Sequence, residues 1–276
     1  MKHSMKKVLL ATTASVVITL CAPTARAAFQ PFTVAEGSVA GTAANTFEAG
    51  KLTGNYVEDV TVNRDGTFNT SLLFNAGTFG DLQGGTISNS FLTSARAPFS
   101  APGQYGVYVT LTGNGTYVTS ASGTLFTFTP GGKLTLSVDP TNDTTFSGIN
   151  VTGDTANDYM IGQGLVTGGE GTLRAGCVPT NSINCGSFGT NTSFALTTQG
   201  ERYFTQPRPF YGFSLESGQF DFIDVNNFGT QRTTGSLDAV FVGSGSTTDV
   251  PEPGSVALLG IGLLGLAVGL RQRARA

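Results

Sequence analysis

The sequence predicts an all-β fold: a single antiparallel β-sandwich or jelly-roll-like domain, flanked by an export signal and a C-terminal apolar helix. Three observations carry that expectation. Apolar and polar residues alternate with period two in segment after segment, no window of useful length shows the helical period, and 38 glycines with frequent threonine punctuate the pattern. Charged residues make up only 12% of the chain and hydrophobic ones 39%, which excludes a charge-driven disordered segment and a coiled coil.

Residues 1–27 carry Lys2, Lys6 and Lys7, the apolar stretch Val8–Leu20, and then Ala25-Arg26-Ala27. Positive, hydrophobic and small-residue regions in that order read as a secretory signal that signal peptidase removes before Ala28. The stretch is too short and too rich in Thr and Ser to span a bilayer comfortably. Leu20 precedes Cys21 where a lipid-attachment site takes a small residue, which argues against a lipoprotein. Removing the signal takes His3 and Cys21 with it, so no histidine and only two cysteines remain. That excludes Ser-His-Asp and Cys-His catalysis and the usual zinc sites.

Residues 28–242 form the predicted β domain. Its strand candidates are Tyr56–Val62, Thr67–Phe74, Tyr105–Thr112, Phe126–Thr129, Lys133–Val138, Ser193–Thr198, Phe210–Leu215, Phe220–Val225 and Ser236–Val242. In the third of these, Tyr105, Val107, Val109 and Leu111 share one face while Tyr108, Thr110 and Thr112 share the other. A Gly-Thr-hydrophobe step at Gly66, Gly77, Gly85, Gly115, Gly123 and Gly171 reads as a turn glycine feeding a β-branched strand start. Its irregular spacing argues against a solenoid or propeller. A division near Asp139–Ser147 into two smaller sheets is the alternative. Cys177 and Cys185 bracket a loop-like sequence and should close as a structural disulfide in an exported protein. Their spacing is wider than Cys-x-x-Cys and no basic neighbour activates them.

From Ala28 to Val250 the chain carries 8 basic and 17 acidic residues, a net charge of −9, which disfavours nucleic acid and anionic lipid as partners. No cofactor is expected. Calcium is the one metal the residue types would take, at Asp139, Asn142 and Asp143, at Asp154, Asn157 and Asp158, or at Asp224, Asn226 and Asn227. None of these follows the D-x-[DN]-x-[DN]-G spacing, and Asp and Asn are ordinary turn residues. Tyr203, Phe204, Arg208 and Tyr211 crowd around two prolines and read either as a saccharide contact surface or as core. Asp221 and Asp224, three apart on a predicted strand, would point to opposite faces, and Glu201 lies in no motif. The expectation is therefore a protein that is not an enzyme, with a two-carboxylate glycoside hydrolase as rival.

After a polar linker at 243–249 come Pro251-Glu252-Pro253, the apolar run Val256–Leu270, and Arg271, Arg273 and Arg275. As a helix the run covers about 22 Å against a hydrocarbon core of roughly 30 Å, so snorkelling arginines and a thinned bilayer would complete the span. The arginines would stay cytoplasmic and the body would face outward. Residues 250–276 thus resemble the PEP-CTERM sorting signal of Gram-negative surface proteins. The resemblance implies transient anchoring in the inner membrane, cleavage by an exosortase near Pro-Glu-Pro, and delivery to the cell surface or extracellular matrix. Phe29–Val34, Tyr56–Val62 and Asn63–Asn69 are similar to the start of the flocculation-associated PEP-CTERM proteins. That second likeness implies a protein promoting bacterial aggregation within an exopolysaccharide matrix, with no catalytic motif. A lectin-like carbohydrate-binding module is the rival within the binding class.

Overall fold

Valine, threonine and aromatic residues favour extended backbone because bulk at or near Cβ packs well on a pleated surface. The computed structural model describes residues 30–94, 103–177, 185–220 and 222–242, and most of them are extended. The export signal, the linker, the sorting signal and its predicted membrane helix lie outside the described residues. No helix among the described residues is long and apolar enough to cross a membrane.

The strands are β1 (Phe32–Ala35), β2 (Thr46–Ala49), β3 (Lys51–Val62), β4 (Thr67–Gly80), β5 (Gly106–Ser120), β6 (Gly123–Phe128), β7 (Gly131–Asp139), β8 (Thr144–Ser147), β9 (Asn150–Gly153), β10 (Tyr159–Arg174) and β11 (Gly186–Leu196). A six-residue helix, α1 (Thr198–Tyr203), precedes β12 (Phe204–Gln206), β13 (Gly212–Phe220) and β14 (Gly229–Val242). Nine of these strands form one antiparallel sheet in the order β11-β13-β14-β3-β4-β5-β6-β10-β7, and the pairings β11–β10 and β5–β7 close it. β6 and β7 share one strand position end to end. The first half of β5 pairs with β7 and its second half with β6, and β10 divides between the same two strands.

The ladder is therefore a closed meander of eight strand positions, a barrel rather than two stacked sheets, and the division near Asp139–Ser147 does not occur. Among the described residues closure leaves this sheet without a free edge, and a barrel of this size is filled by its own side chains. Leu52, Tyr56, Phe74, Val109, Leu134 and Leu136 are among the residues that fill it.

Three sequence expectations need correction. Phe220–Val225 is not a strand. Residues 222–225 belong to no strand, Ile223 is buried, and the Gln231 side chain holds the following turn by donating to the carbonyls of Asp224 and Asn227, both at 2.8 Å. β10 was not expected, because register shifts between Met160 and Gly162, Gly164 and Val166, and Val166 and Gly168 break its alternation. Gly77, Gly115 and Gly171 lie inside strands rather than at their starts, and a Cβ on Gly115 would sit 2.7 Å from the Phe68 ring.

The two barrel ends are built differently. At one, the small sheet β12-β1-β2 brings Phe32 and Phe204 against Phe241 of β14, with ring centroids 4.7 and 5.2 Å away. Glu36 is fully buried there, yet its carboxylate accepts from Tyr105 Oη (2.9 Å), the Phe91 N–H (2.9 Å), Ser90 Oγ (2.5 Å) and Asn45 Nδ2 (2.6 Å). At the other end, disulfide-bonded Cys177 and Cys185, with Cα atoms 5.6 Å apart, join the segments that link β10 to β11. By chain entropy this small loop contributes about 2–3 kcal/mol. Replacing both cysteines by serine should lower the unfolding free energy measured by urea denaturation by that amount, with the native circular dichroism retained.

Glu58 points into the barrel from β3, 4% exposed, beside a cavity of about 10 Å³ lined by Phe68, Phe126, Phe128, Phe188 and Ile223. Thr70 donates to its Oε1 at 2.5 Å, whereas its Oε2 has no hydrogen-bond partner among the described residues. Burial pushes this carboxyl up to about 7, against the pull of the Thr70 hydrogen bond. Below pH 4.5 the group is neutral folded and unfolded. As pH rises, the unfolded chain ionises first, so stability falls until the folded group ionises near 7 and then levels off. The full drop corresponds to about 3 kcal/mol. Urea melts of the wild type should show that decline between pH 4.5 and 7.5, and Glu58→Gln should flatten it.

Candidate functional site

Where β10 passes from β7 to β6 the wall thins. Its last pair with β7 is Val166 with Gly131, and its first with β6 is Glu170 with Thr127. A run of Gly168, Gly169 and Gly171 spans this stretch, and opposite it on β11 stands Gly189. With so few side chains, the outer face carries an open trench of about 910 Å³. Thr127, Thr172, Ser187, Asn191, Ser214 and Ser217 line it, with Phe128 and Phe188 beneath, each 7% exposed.

Two carboxylates face each other across the trench. Gly189 pairs with Glu170 of β10 on one side and with Glu216 of β13 on the other. Two strand spacings separate their backbones by about 10 Å, and all three positions project to the same outer face. A Cβ built on Gly189 would lie 3.9 Å from Glu216 Cγ, so the glycine leaves open the space the glutamates flank. Ser214 Oγ donates to the Thr190 carbonyl at 2.7 Å and lies 3.4 Å from Glu216 Oε1. None of the trench-lining residues is basic. The arrangement offers carboxylate acceptors, hydroxyl and amide groups and two aromatic rings to a neutral or cationic polar ligand, and it repels an anionic one.

Sequence reasoning did not find this site, because its three central residues lie on strands whose pairing no local pattern reveals. The aromatic run proposed for sugar contact is placed elsewhere. Tyr203 and Phe204 are 1% and 0% exposed and belong to the aromatic packing at the barrel end, so neither can touch a ligand. Tyr211 is half-buried, and exposed Arg208 binds the helix, its Nη2 donating to the Glu201 carbonyl at 2.5 Å. Asp224, Asn226 and Asn227 form a turn, with the Asn226 N–H donating to Asp224 Oδ1 at 2.9 Å.

Of the first calcium candidates, Asp139 and Asn142 are buried and Asp143 is exposed. Asp158, from another candidate group, joins the first two. Burial raises its carboxyl above the ordinary range, hydrogen bonds from Thr144 and Tyr108 oppose the rise, and the charges of Asp139 and Asp143 add to it. No group of three or more His, Cys, Asp or Glu among the described residues converges to hold a metal ion. The sorting residues Pro251, Glu252, Pro253, Arg271, Arg273 and Arg275, like Asp221, lie outside the described residues.

Comparison with known proteins places a function on the tail. Residues 249–274 match the PEP-CTERM protein-sorting motif. No curated protein and no solved structure matches the chain.

Proposed function

We propose that this chain, an exosortase-sorted extracellular protein by its PEP-CTERM motif at 249–274, works in the exopolysaccharide matrix as a non-enzymatic adhesive β-barrel that promotes bacterial aggregation. The signal at 1–27 directs it to signal peptidase, the tail holds it briefly at the inner membrane, and cleavage frees the barrel to the cell surface or matrix. The observation that supports the polysaccharide role is the trench between Glu170 and Glu216, whose hydroxyl-rich and carboxylate lining suits a polyhydroxylated chain. Each contact is weak, and aggregation arises from many copies acting along one polymer.

The carboxylate pair also favours a second reading. Glutamates on alternate strands can bring their carboxyl groups to the roughly 6.5–9.5 Å separation used by inverting glycosidases. A lectin-like module would instead show saturable affinity for one defined sugar.

Gly189→Val tests the trench directly. Valine suits a strand, and the space above Gly189 holds no atom within 3.9 Å of the new Cβ, so the melting temperature should be unchanged or higher. Pull-down by the cell's own exopolysaccharide should fall at least about tenfold, the effect of losing roughly 1.4 kcal/mol of contact. Undiminished pull-down by Gly189→Val counts against the trench. Release of reducing ends by the wild type, lost in Glu170→Gln or Glu216→Gln, replaces the adhesive reading with the hydrolase. Deleting Pro251–Ala276 should abolish surface delivery and flocculation together, and unchanged flocs in that strain overturn the matrix role.

A further inference from the structure

On the outer face of β5, away from the residues that line the trench, the turn after β7 and the turn before β10 bring buried oxygen atoms together with too few donors to satisfy them. Asp139 is fully buried; its Oδ1 accepts from the Thr141 N–H (3.1 Å) and hydroxyl (3.4 Å), and its Oδ2 from the Thr144 N–H (2.8 Å). An ionised carboxylate has about four acceptor positions, so lone pairs remain. Asp158 Oδ2 accepts from Tyr108 Oη and Thr144 Oγ1, both at 2.8 Å, while its buried Oδ1 has no partner among the described residues.

Asn142 supplies the observation that an acidic cluster alone would lack. It is 6% exposed, and neither its Oδ1 nor its Nδ2 has a partner among the described residues. Its backbone is held at φ 54°, a left-handed conformation that costs a non-glycine residue energy. Leaving a buried amide unsatisfied costs about 1–3 kcal/mol more, so such a group calls for a ligand. The amide oxygen and Asp139 Oδ2 border one space: a Cβ built on Gly106 would lie 3.1 Å from the first and 3.7 Å from the second. Glycine at 106 keeps that space open. None of the ion pairs among the described residues involves Asp139 or Asp158.

We propose that Asp139, Asn142 and Asp158 hold a calcium ion that fastens the β8–β9 hairpin to the barrel wall. Two carboxylates and an amide oxygen, completed by water, match calcium's preference for an irregular oxygen set, whereas magnesium demands a near-ideal octahedron. The ion neutralises two crowded carboxylates and satisfies Asn142 Oδ1. Thr144 opens β8, and Tyr108 packs against Phe146 of the hairpin with ring centroids 5.6 Å apart, so the ion sits where the hairpin leaves the wall. With two acidic side chains the affinity falls in the range of extracellular modules, about 10⁻⁴–10⁻³ M.

The test uses the mature exported protein. In 10 mM CaCl₂ its melting temperature should exceed that in EGTA by about 3–10 °C, with a smaller shift in MgCl₂. Asn142→Gly keeps a residue suited to the φ of 54° and should abolish the calcium shift without lowering the melting temperature in EGTA. Equal wild-type melting temperatures in CaCl₂ and EGTA, or a full shift in Asn142→Gly, overturn the proposal. Terbium gives a readout independent of stability, because the chain has no tryptophan and Tyr108 touches the site. Excitation of tyrosine should yield terbium emission that calcium displaces and that Tyr108→Phe largely removes. Emission unchanged in Tyr108→Phe places the ion elsewhere and overturns the assignment.

Discussion

Everything in this molecule depends on β14 lying down against β3. That ladder runs without a register shift from Gly229 opposite Val62 to Val240 opposite Lys51, and it joins a strand near the start of the domain to its last. Sequence-distant pairing of this kind is costly in chain entropy until it is complete. Once made, it converts an open sheet into a surface with an inside and an outside, and every inward side chain must then fit one shared volume. The tandem arrangement of β6 and β7 follows from the same demand: one strand position must be filled, and two short strands fill it with a break between them. That break is where the wall thins and the trench lies.

The two buried glutamates show how differently the two ends are finished. Glu36 accepts four hydrogen bonds, from the segment before β2 and from the β4–β5 connection as far as Tyr105, so it ties separate parts of the chain into one lid. Glu58 has one bond from Thr70 and phenylalanine rings for neighbours. The first setting surrounds a carboxyl with hydrogen-bond donors, whereas burial in the second favours the neutral form of Glu58. The phenylalanines that surround Glu58 include Phe128 and Phe188, which also form the base of the trench. The apolar interior around Glu58 thus meets the floor of the trench through one shared pair of rings.

Much of this was legible in the chain itself. Alternation marked β3, β4, β5, β7 and β14, because each keeps a mainly apolar face inward over several residues, broken in β3 by Glu58 and in β4 by Thr70. The disulfide was legible from two cysteines in an exported sequence, and the tail from its three ordered parts. β10 was not, because its bulges and glycines erase the period on which such reading relies, and the trench went unseen with it. Gly189 carries meaning only through its neighbours, Glu170 and Glu216, which are 19 and 27 residues away along the chain and adjacent only after pairing. Tyr203 and Phe204 misled for the opposite reason: clustered aromatics look the same in sequence whether they form a platform or a plug. Asn142 was legible as a calcium candidate beside Asp139 and Asp143, but its burial, the property that matters, is tertiary.

The position of β14 has a mechanical side. It is both the strand that shuts the ring and the one whose final residue, Val242, leads toward the tail. A tug applied at Val242 along the strand axis loads the backbone bonds to β3 in shear, all together, rather than peeling them one at a time. A domain gripped at that point resists stretching far better than one hung from a hairpin corner.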